Sequence, residues 1–279
     1  MDLLEKYIHD NSSPEDALLH ELDRQTHLQV INPRMISGHI QGKLLELMVK
    51  MYRPKSILEI GTFTGYSALC MAAGLEEGAT IDTCEVDDEL QPLAQSFFDR
   101  SQHGHKINMH IGSALEIAPK LGKQFDMVFI DGDKREYPDY YRMLMDGGLV
   151  HSGSILLADN ILWYGKVVQP VAHNDRHTEA LIEFNRMVVE DDRVESVILP
   201  LRDGINIIRV KYETTYIIIE GAPCGTPSFV YVWLELYKIQ IHLNTKHLCL
   251  QLRLHIVELL NRRQLGLHTE VELNLRLGT

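Results

Sequence analysis

Residues 57–69 read ILEIGTFTGYSAL, and the reading of this stretch decides the fold. An apolar run, Ile57, Leu58 and Ile60, ends in Gly61-Thr62-Phe63-Thr64-Gly65, and a helical pattern opens at Tyr66. A strand that turns through glycines into a helix starts a βαβ unit. Its glycines permit a sharp turn and a close backbone approach to a ligand. The spacing over Glu59–Gly65 lacks the third glycine of the dinucleotide fingerprint, and Thr62 to Thr64 suit a pyrophosphate cradle poorly. A tight turn that binds nothing is the plainer alternative.

Working outward, short apolar runs alternate with helical segments. Strands are expected at 56–60, 80–85, 106–111, 125–130 and 154–158, and helices at 66–73, 89–100, 114–121, 137–145 and 178–190. This alternation predicts an α/β fold with a doubly wound, seven-stranded, mostly parallel sheet once 194–199 and 205–210 are added. The last two strands are joined by only 200–204, too short for a crossover helix, so the last strand runs antiparallel. Upstream, Pro14-Glu15-Asp16 suits a first helical turn capped by Ser13. Ile40, Leu44, Leu47 and Met48 mark a second helical face.

The chain has 279 residues, with 39 acidic against 27 basic side chains and a net charge of −12. Such acidity disfavours a general nucleic-acid binder or a partner of anionic membranes. The whole excess lies before residue 213, because 213–279 holds six acidic and six basic residues. That segment also lacks Asp and Met and is crowded with Leu, so two parts are expected, 1–211 and 212–279. In the second part, apolar runs at 216–219 and 229–236 and alternating leucines at 248–254 and 273–277 favour strands, with a helical alternative at 256–264. An accessory hairpin, an oligomerisation element and read-through from an altered frame are the origins considered for it. No secretory signal and no apolar run long enough to span a bilayer is present, which points to a cytoplasmic protein. Cys70, Cys84, Cys224 and Cys249 are widely spaced, which suits free thiols.

Three constellations carry chemistry. The glycine turn at Gly61 lies where open α/β sheets bind cofactors. Glu85 ends the second strand, where an acid can accept both hydroxyls of a ribose; Asp87, Asp88 and Glu89 suit the start of the following helix. Asp131, with Lys134 three residues on, follows one strand, and Asp159-Asn160 follows the next. Adjacent parallel strands bring these oxygens to one edge, a donor set for Mg²⁺ or a similar hard cation. Strand-end caps are the alternative, weakened because neighbouring carboxylates repel unless a cation lies between them.

The stretches ILEIGTFTGYSAL, TIDTCEVDDE, FDMVFIDGDKREYPDYY and GSILLADNILWYGKVV closely resemble the cation-dependent, S-adenosylmethionine-dependent O-methyltransferases of the caffeoyl-CoA and catechol type. The resemblance runs from about residue 20 to Lys211 and implies a Rossmann-like methyltransferase fold. It implies metal binding by Asp131, Asp159 and Asn160, and a general base at Lys134. Cofactor contacts carry over to Ser37, Glu59, Gly61, Ser67, Glu85, Ala114 and Asp131. Trp163, Arg202 and Asp203 resemble substrate-side positions, and a homodimer is implied by plant and bacterial relatives. Gly132 stands where the family often has Ala, and residues 212–279 have no family counterpart.

The expected reaction moves the methyl of S-adenosylmethionine to a hydroxyl of a catechol-like or caffeoyl-type small molecule. A vicinal diol suits the cation, which favours the ionised hydroxyl, and Lys134 takes the proton. Methylation of tRNA wobble 5-hydroxyuridine is the alternative; Lys43, Lys50, Arg53 and Lys55 could form its basic patch, although a solvated surface explains them as well. A non-catalytic interaction protein and an NAD-dependent dehydrogenase are rivals of other classes. Tyr137, Tyr140 and Tyr141 read as core or dimer contacts, and the scattered histidines carry no paired metal spacing.

Overall fold

The computed structural model describes residues 3–212, together with the backbone of two short strands at 232–235 and 238–241. The chain divides into two compact units, Met1–Glu213 and Thr214–Thr279.

In the first unit, the chain order is α1 (Leu3–Asp10), α2 (Ala17–Gln29), α3 (Gly38–Tyr52), β1 (Ser56–Ile60), α4 (Tyr66–Gly74), β2 (Thr80–Glu85) and α5 (Gln91–Arg100). There follow β3 (Ile107–Ile111), α6 (Ala114–Ile117), β4 (Phe125–Ile130), α7 (Tyr137–Met145), β5 (Val150–Asp159), α8 (Arg176–Glu190), β6 (Val194–Leu199) and β7 (Ile205–Val210). The seven strands form one sheet in the order β3-β2-β1-β4-β5-β7-β6. Strands β1 to β5 pair in parallel, and β7 runs antiparallel to both β5 and β6. The order reverses between β1 and β4, the switch point where such sheets leave a crevice. In register, Ile60 lies beside Ile130, and Ile130 beside Ala158.

The central strands are apolar on both faces, as a sheet covered on both sides requires. Leu58, Val128, Leu156 and Ile208 pack with Tyr141 and Leu144 of α7 and Phe184 of α8, while Ile57, Met127, Phe129 and Leu157 pack with Leu45 and Val49 of α3 and Met71 of α4. Gly42 lets α3 approach α4, since a Cβ there would meet Cys70 Sγ at 2.6 Å.

Several details differ from expectation. Asp16, not Ser13, caps α2: Asp16 is extended and its Oδ1 accepts the Leu18 N–H at 2.8 Å. A Ser13 cap would need Pro14 to open the helix, but residues 13–16 form no helical turn and the helix opens at Ala17. The buried stripe of α3 is Gln41, Gly42, Leu45 and Val49, one position round from the expected face, and Leu47 points to solvent. The segment expected as a helix at 114–121 changes to a 3₁₀ turn at Ala118, because Pro119 supplies no N–H to continue the α-helix. Helix α1 was not expected; it buries no residue, and a Lys6–Asp10 pair spans its last turn.

In the second unit, β8 (Val232–Glu235) pairs antiparallel with β9 (Lys238–Ile241), Val232 opposite Ile241. The runs expected at 216–219, 248–254 and 273–277, the helical alternative at 256–264, and Cys224 and Cys249 lie outside the described residues. Cys70 and Cys84 are free and buried. Among the described residues no helix is long and apolar enough to cross a membrane.

Candidate active site

A cleft of about 1610 Å³ opens at the carboxyl ends of β1, β2, β4 and β5. It is larger than a pocket for one small ligand, so two molecules can share it. Of the residues singled out from sequence, Ser37, Gly61, Ser67, Glu85, Ala114, Asp131, Lys134, Asp159, Asn160, Trp163, Arg202 and Asp203 all line it, and Glu59 does not.

On one side stands the turn after β1. Gly61 has φ +97°, and a Cβ there would lie 2.5 Å from the Asp131 carbonyl oxygen, so only glycine fits where β1 and β4 end together. The N–H groups of Gly61 and Thr62 both donate to the Cys84 carbonyl, tying the turn to β2. Thr62 and Thr64 are buried, and their hydroxyls bond to those of Thr83 and Thr26 respectively. Glu85 accepts the N–H of Phe63 at 2.7 Å and that of Asp87 at 3.0 Å.

Glu59 lies fully buried beneath this floor, where Ser67 donates to it at 2.6 Å and Thr83 donates to its other oxygen. It meets the cleft through Ser67, which lines it. Burial pushes its carboxyl up to about 8, against the pull of the two hydroxyls, so the group is largely protonated at neutral pH.

On the other side are the ends of β4 and β5. Lys134 Nζ donates to Asp131 Oδ1 at 2.7 Å and to Tyr137 Oη at 2.9 Å. The Tyr137 hydroxyl lies 3.0 Å from the Ile130 carbonyl and 2.9 Å from that of Asp159, so it spans the two strand ends. Burial, followed by the charges of Asp131 and Asp159, holds this phenol well above its ordinary range. Asp131 is pushed up to about 6 by burial, with Lys134 pulling it down and Asp159 adding to the rise. Asp159 is 2% exposed; its Oδ1 accepts the Asn160 N–H at 2.8 Å and its Oδ2 accepts Gln41 Nε2 at 2.6 Å. Asn160 adopts φ +58°, a left-handed conformation that asparagine tolerates.

Around the rim, Trp163 stacks on His177 with centroids 5.6 Å apart and planes 17° apart. Its Nε1 is buried without a hydrogen-bond partner among the described residues. Trp163, Tyr164 and Gly165 are left-handed in succession, with φ of +47°, +55° and +74°. Asp203 accepts the Tyr164 N–H at 2.6 Å, which moors this segment to the β6–β7 turn, and burial raises the Asp203 carboxyl. Arg202 lines the cleft, but its guanidinium is turned onto the carbonyls of Ile36 and Ser37 and onto Gln41.

Two residues of this geometry escaped the sequence reading. Tyr137 is buried as expected, yet its hydroxyl serves Lys134. Gln41 joins Asp159 from α3; its signal is a polar residue at the helical spacing of Leu45 and Val49. Of the basic group considered for RNA, Lys43 and Lys50 both pair with Glu46, and Arg53 pairs with Glu76.

Sheet order, a glycine turn at the switch point and an acid ending β2 define a class: α/β proteins built to hold a nucleoside-bearing ligand. Comparison narrows the class. A family model described as O-methyltransferase matches residues 9–211. The caffeoyl-CoA O-methyltransferase of Petroselinum crispum is 32% identical over 186 residues, covering 63% of this chain and 76% of that protein. The SAH-bound methyltransferase PaMTH1 of Podospora anserina is 27% identical with a TM-score of 0.69, covering 75% of this chain and 94% of that one. TomG of Streptomyces achromogenes, an O-methyltransferase involved in tomaymycin synthesis and solved with SAM, is 28% identical with a TM-score of 0.69, over 75% and 96% of the two chains. The chain belongs to the O-methyltransferase family.

Proposed function

We infer that the protein transfers the methyl group of S-adenosylmethionine to a hydroxyl of a catechol-like or caffeoyl-type small molecule, with a divalent cation such as Mg²⁺ beside the acceptor. The observation that carries this reading is the meeting of Asp131, Lys134, Asp159 and Asn160 at the ends of β4 and β5, in the same cleft as Gly61 and Glu85.

The donor set suits such a cation. Among the described residues no three His, Cys, Asp or Glu side chains form a metal cluster; the set is two carboxylates and an asparagine, hard oxygen donors of the type Mg²⁺ takes with water. Asp131, pushed up by burial and by Asp159, is a carboxylate that a positive neighbour would favour in its ionised form. Asp131, Asp159 and Asn160 would hold the cation; Ser37, Gly61, Ser67, Glu85 and Ala114 would hold the cofactor, with Glu59 bracing Ser67 from below. When bound, the cofactor supplies a methyl group on a sulfonium and the cation supplies charge that favours ionisation of a nearby hydroxyl.

The protein's part is orientation and one proton. Lys134 Nζ, held by Asp131 and Tyr137, is the atom that, as the free amine, takes the acceptor's hydroxyl proton. Trp163, stacked on His177 and with a buried N–H to offer, forms a wall for a flat acceptor.

Incubation with methyl-labelled S-adenosylmethionine tests the reading, with catechols, a caffeoyl thioester and hydroxyuridine-bearing tRNA offered in parallel. Label is expected in a catechol or caffeoyl acceptor, lost with a chelator and restored by Mg²⁺. Label in tRNA alone, or transfer indifferent to the chelator, overturns it. Residues 1–211 are proposed to suffice, so a chain ended after Lys211 should keep the activity.

A further inference from the structure

Gln41 occupies an unusual position on α3. It is fully buried, and its amide lies between two charged groups: Nε2 donates to Asp159 Oδ2 at 2.6 Å, and Oε1 accepts from Arg202 Nη1 at 3.0 Å. A carboxylate only accepts and a guanidinium only donates, so the amide has one orientation available. Arg202 is itself held by the carbonyls of Ile36, at 3.0 Å, and Ser37. Gly42 beside it brings α3 close against Cys70 and Tyr66 of α4, where a Cβ would lie 2.6 Å and 2.8 Å from their side chains.

Asp159 therefore receives one N–H on each oxygen, from Gln41 and from the Asn160 backbone. Two donors at opposite oxygens define the plane of a carboxylate and leave lone pairs on both. Partners of this kind set the direction in which a ligating carboxylate presents itself.

We propose that Gln41 is a positioning residue: it orients the Asp159 carboxylate for a divalent cation, and Arg202 sets the direction of its amide. This rests on the cation reading above. Gln41 touches no reacting atom; it acts through Asp159.

The test uses the full-length chain and Gln41→Met, which keeps length and volume and removes both hydrogen bonds. Mn²⁺ is titrated and free ion read by electron paramagnetic resonance, while S-adenosylhomocysteine affinity is read by calorimetry without metal. The variant should bind Mn²⁺ about tenfold more weakly, with cofactor-product affinity within about threefold of the parent. A purely structural role would lower the melting temperature and leave this split absent. Arg202→Met should weaken Mn²⁺ binding in the same direction by less, and no change there removes Arg202 from the proposal.

Unchanged Mn²⁺ affinity in Gln41→Met overturns the proposal. If the parent protein binds no Mn²⁺, the cation reading falls, and the crystal structure of Gln41→Met still decides the positioning claim. A carboxylate of Asp159 that has turned supports it; one left in place overturns it. Should Gln41→Met not fold, Gln41→Asn serves, since its amide is one methylene too short to span both partners and must show the same split.

Discussion

The two sides of the cleft treat their acids in opposite ways. At the ends of β1 and β2, Glu59 and Glu85 are met by hydroxyl and backbone N–H donors, and Glu59 is kept largely protonated by burial. At the ends of β4 and β5, burial and then the charge of Asp159 push the Asp131 carboxyl up, with Lys134 as its counter-charge. The first side is satisfied by the protein itself. The second concentrates like charge, an arrangement that persists where a positive partner is at hand. One side is thus built for shape and the other for chemistry.

The sharpest way to break this contrast is Lys134→Ala. Turnover should fall at least about 100-fold while cofactor affinity stays within about threefold, read by labelled transfer and calorimetry. Equal losses in both would mean that the two sides are not separate.

Gly61→Ala strikes the seam between them. Its Cβ would meet the Asp131 carbonyl at 2.5 Å in a backbone with φ +97°, so stability should drop by about 2 kcal/mol in urea melts. Glu85→Ala leaves the N–H groups of Phe63 and Asp87 without their acceptor. Cofactor affinity should weaken about tenfold, with the acceptor KM unchanged.

The smallest effect expected is that of Glu59→Gln, and it depends on pH. The folded carboxyl sits near 8 against an ordinary 4.5, so the folded state holds a proton that the unfolded chain releases between those values. The stability this proton carries is full below 4.5 and is lost as pH rises toward 8. Gln carries no such proton, so the variant should gain on the parent by at least about 1 kcal/mol between pH 5 and pH 8, read by urea melts at both.

Much of this was legible in the chain before any coordinates. Gly61, Glu85, Asp131 and Asp159 sit at strand ends, and strand ends are marked by local pattern. The neighbours that support them are not local. Gln41 meets Asp159 across 118 positions and Arg202 across 161, distances over which periodicity says nothing. Arg202 reads as a substrate-side cation, yet four of its contacts are to the 34–37 carbonyls and Gln41. Glu59 is a ligand contact only by resemblance to the family; the structure buries it fully under the floor, bonded to Ser67 and Thr83.

The left-handed run at Trp163, Tyr164 and Gly165 has a consequence for where the cleft can vary. Strain of this kind is stored in a segment between β5 and α8, outside the sheet, with Tyr164 80% exposed. A single substitution can relieve it and reshape the rim, while the carboxylates on β4 and β5 keep their places. Substitutions along this segment would therefore alter the rim of the cleft and leave its floor in place.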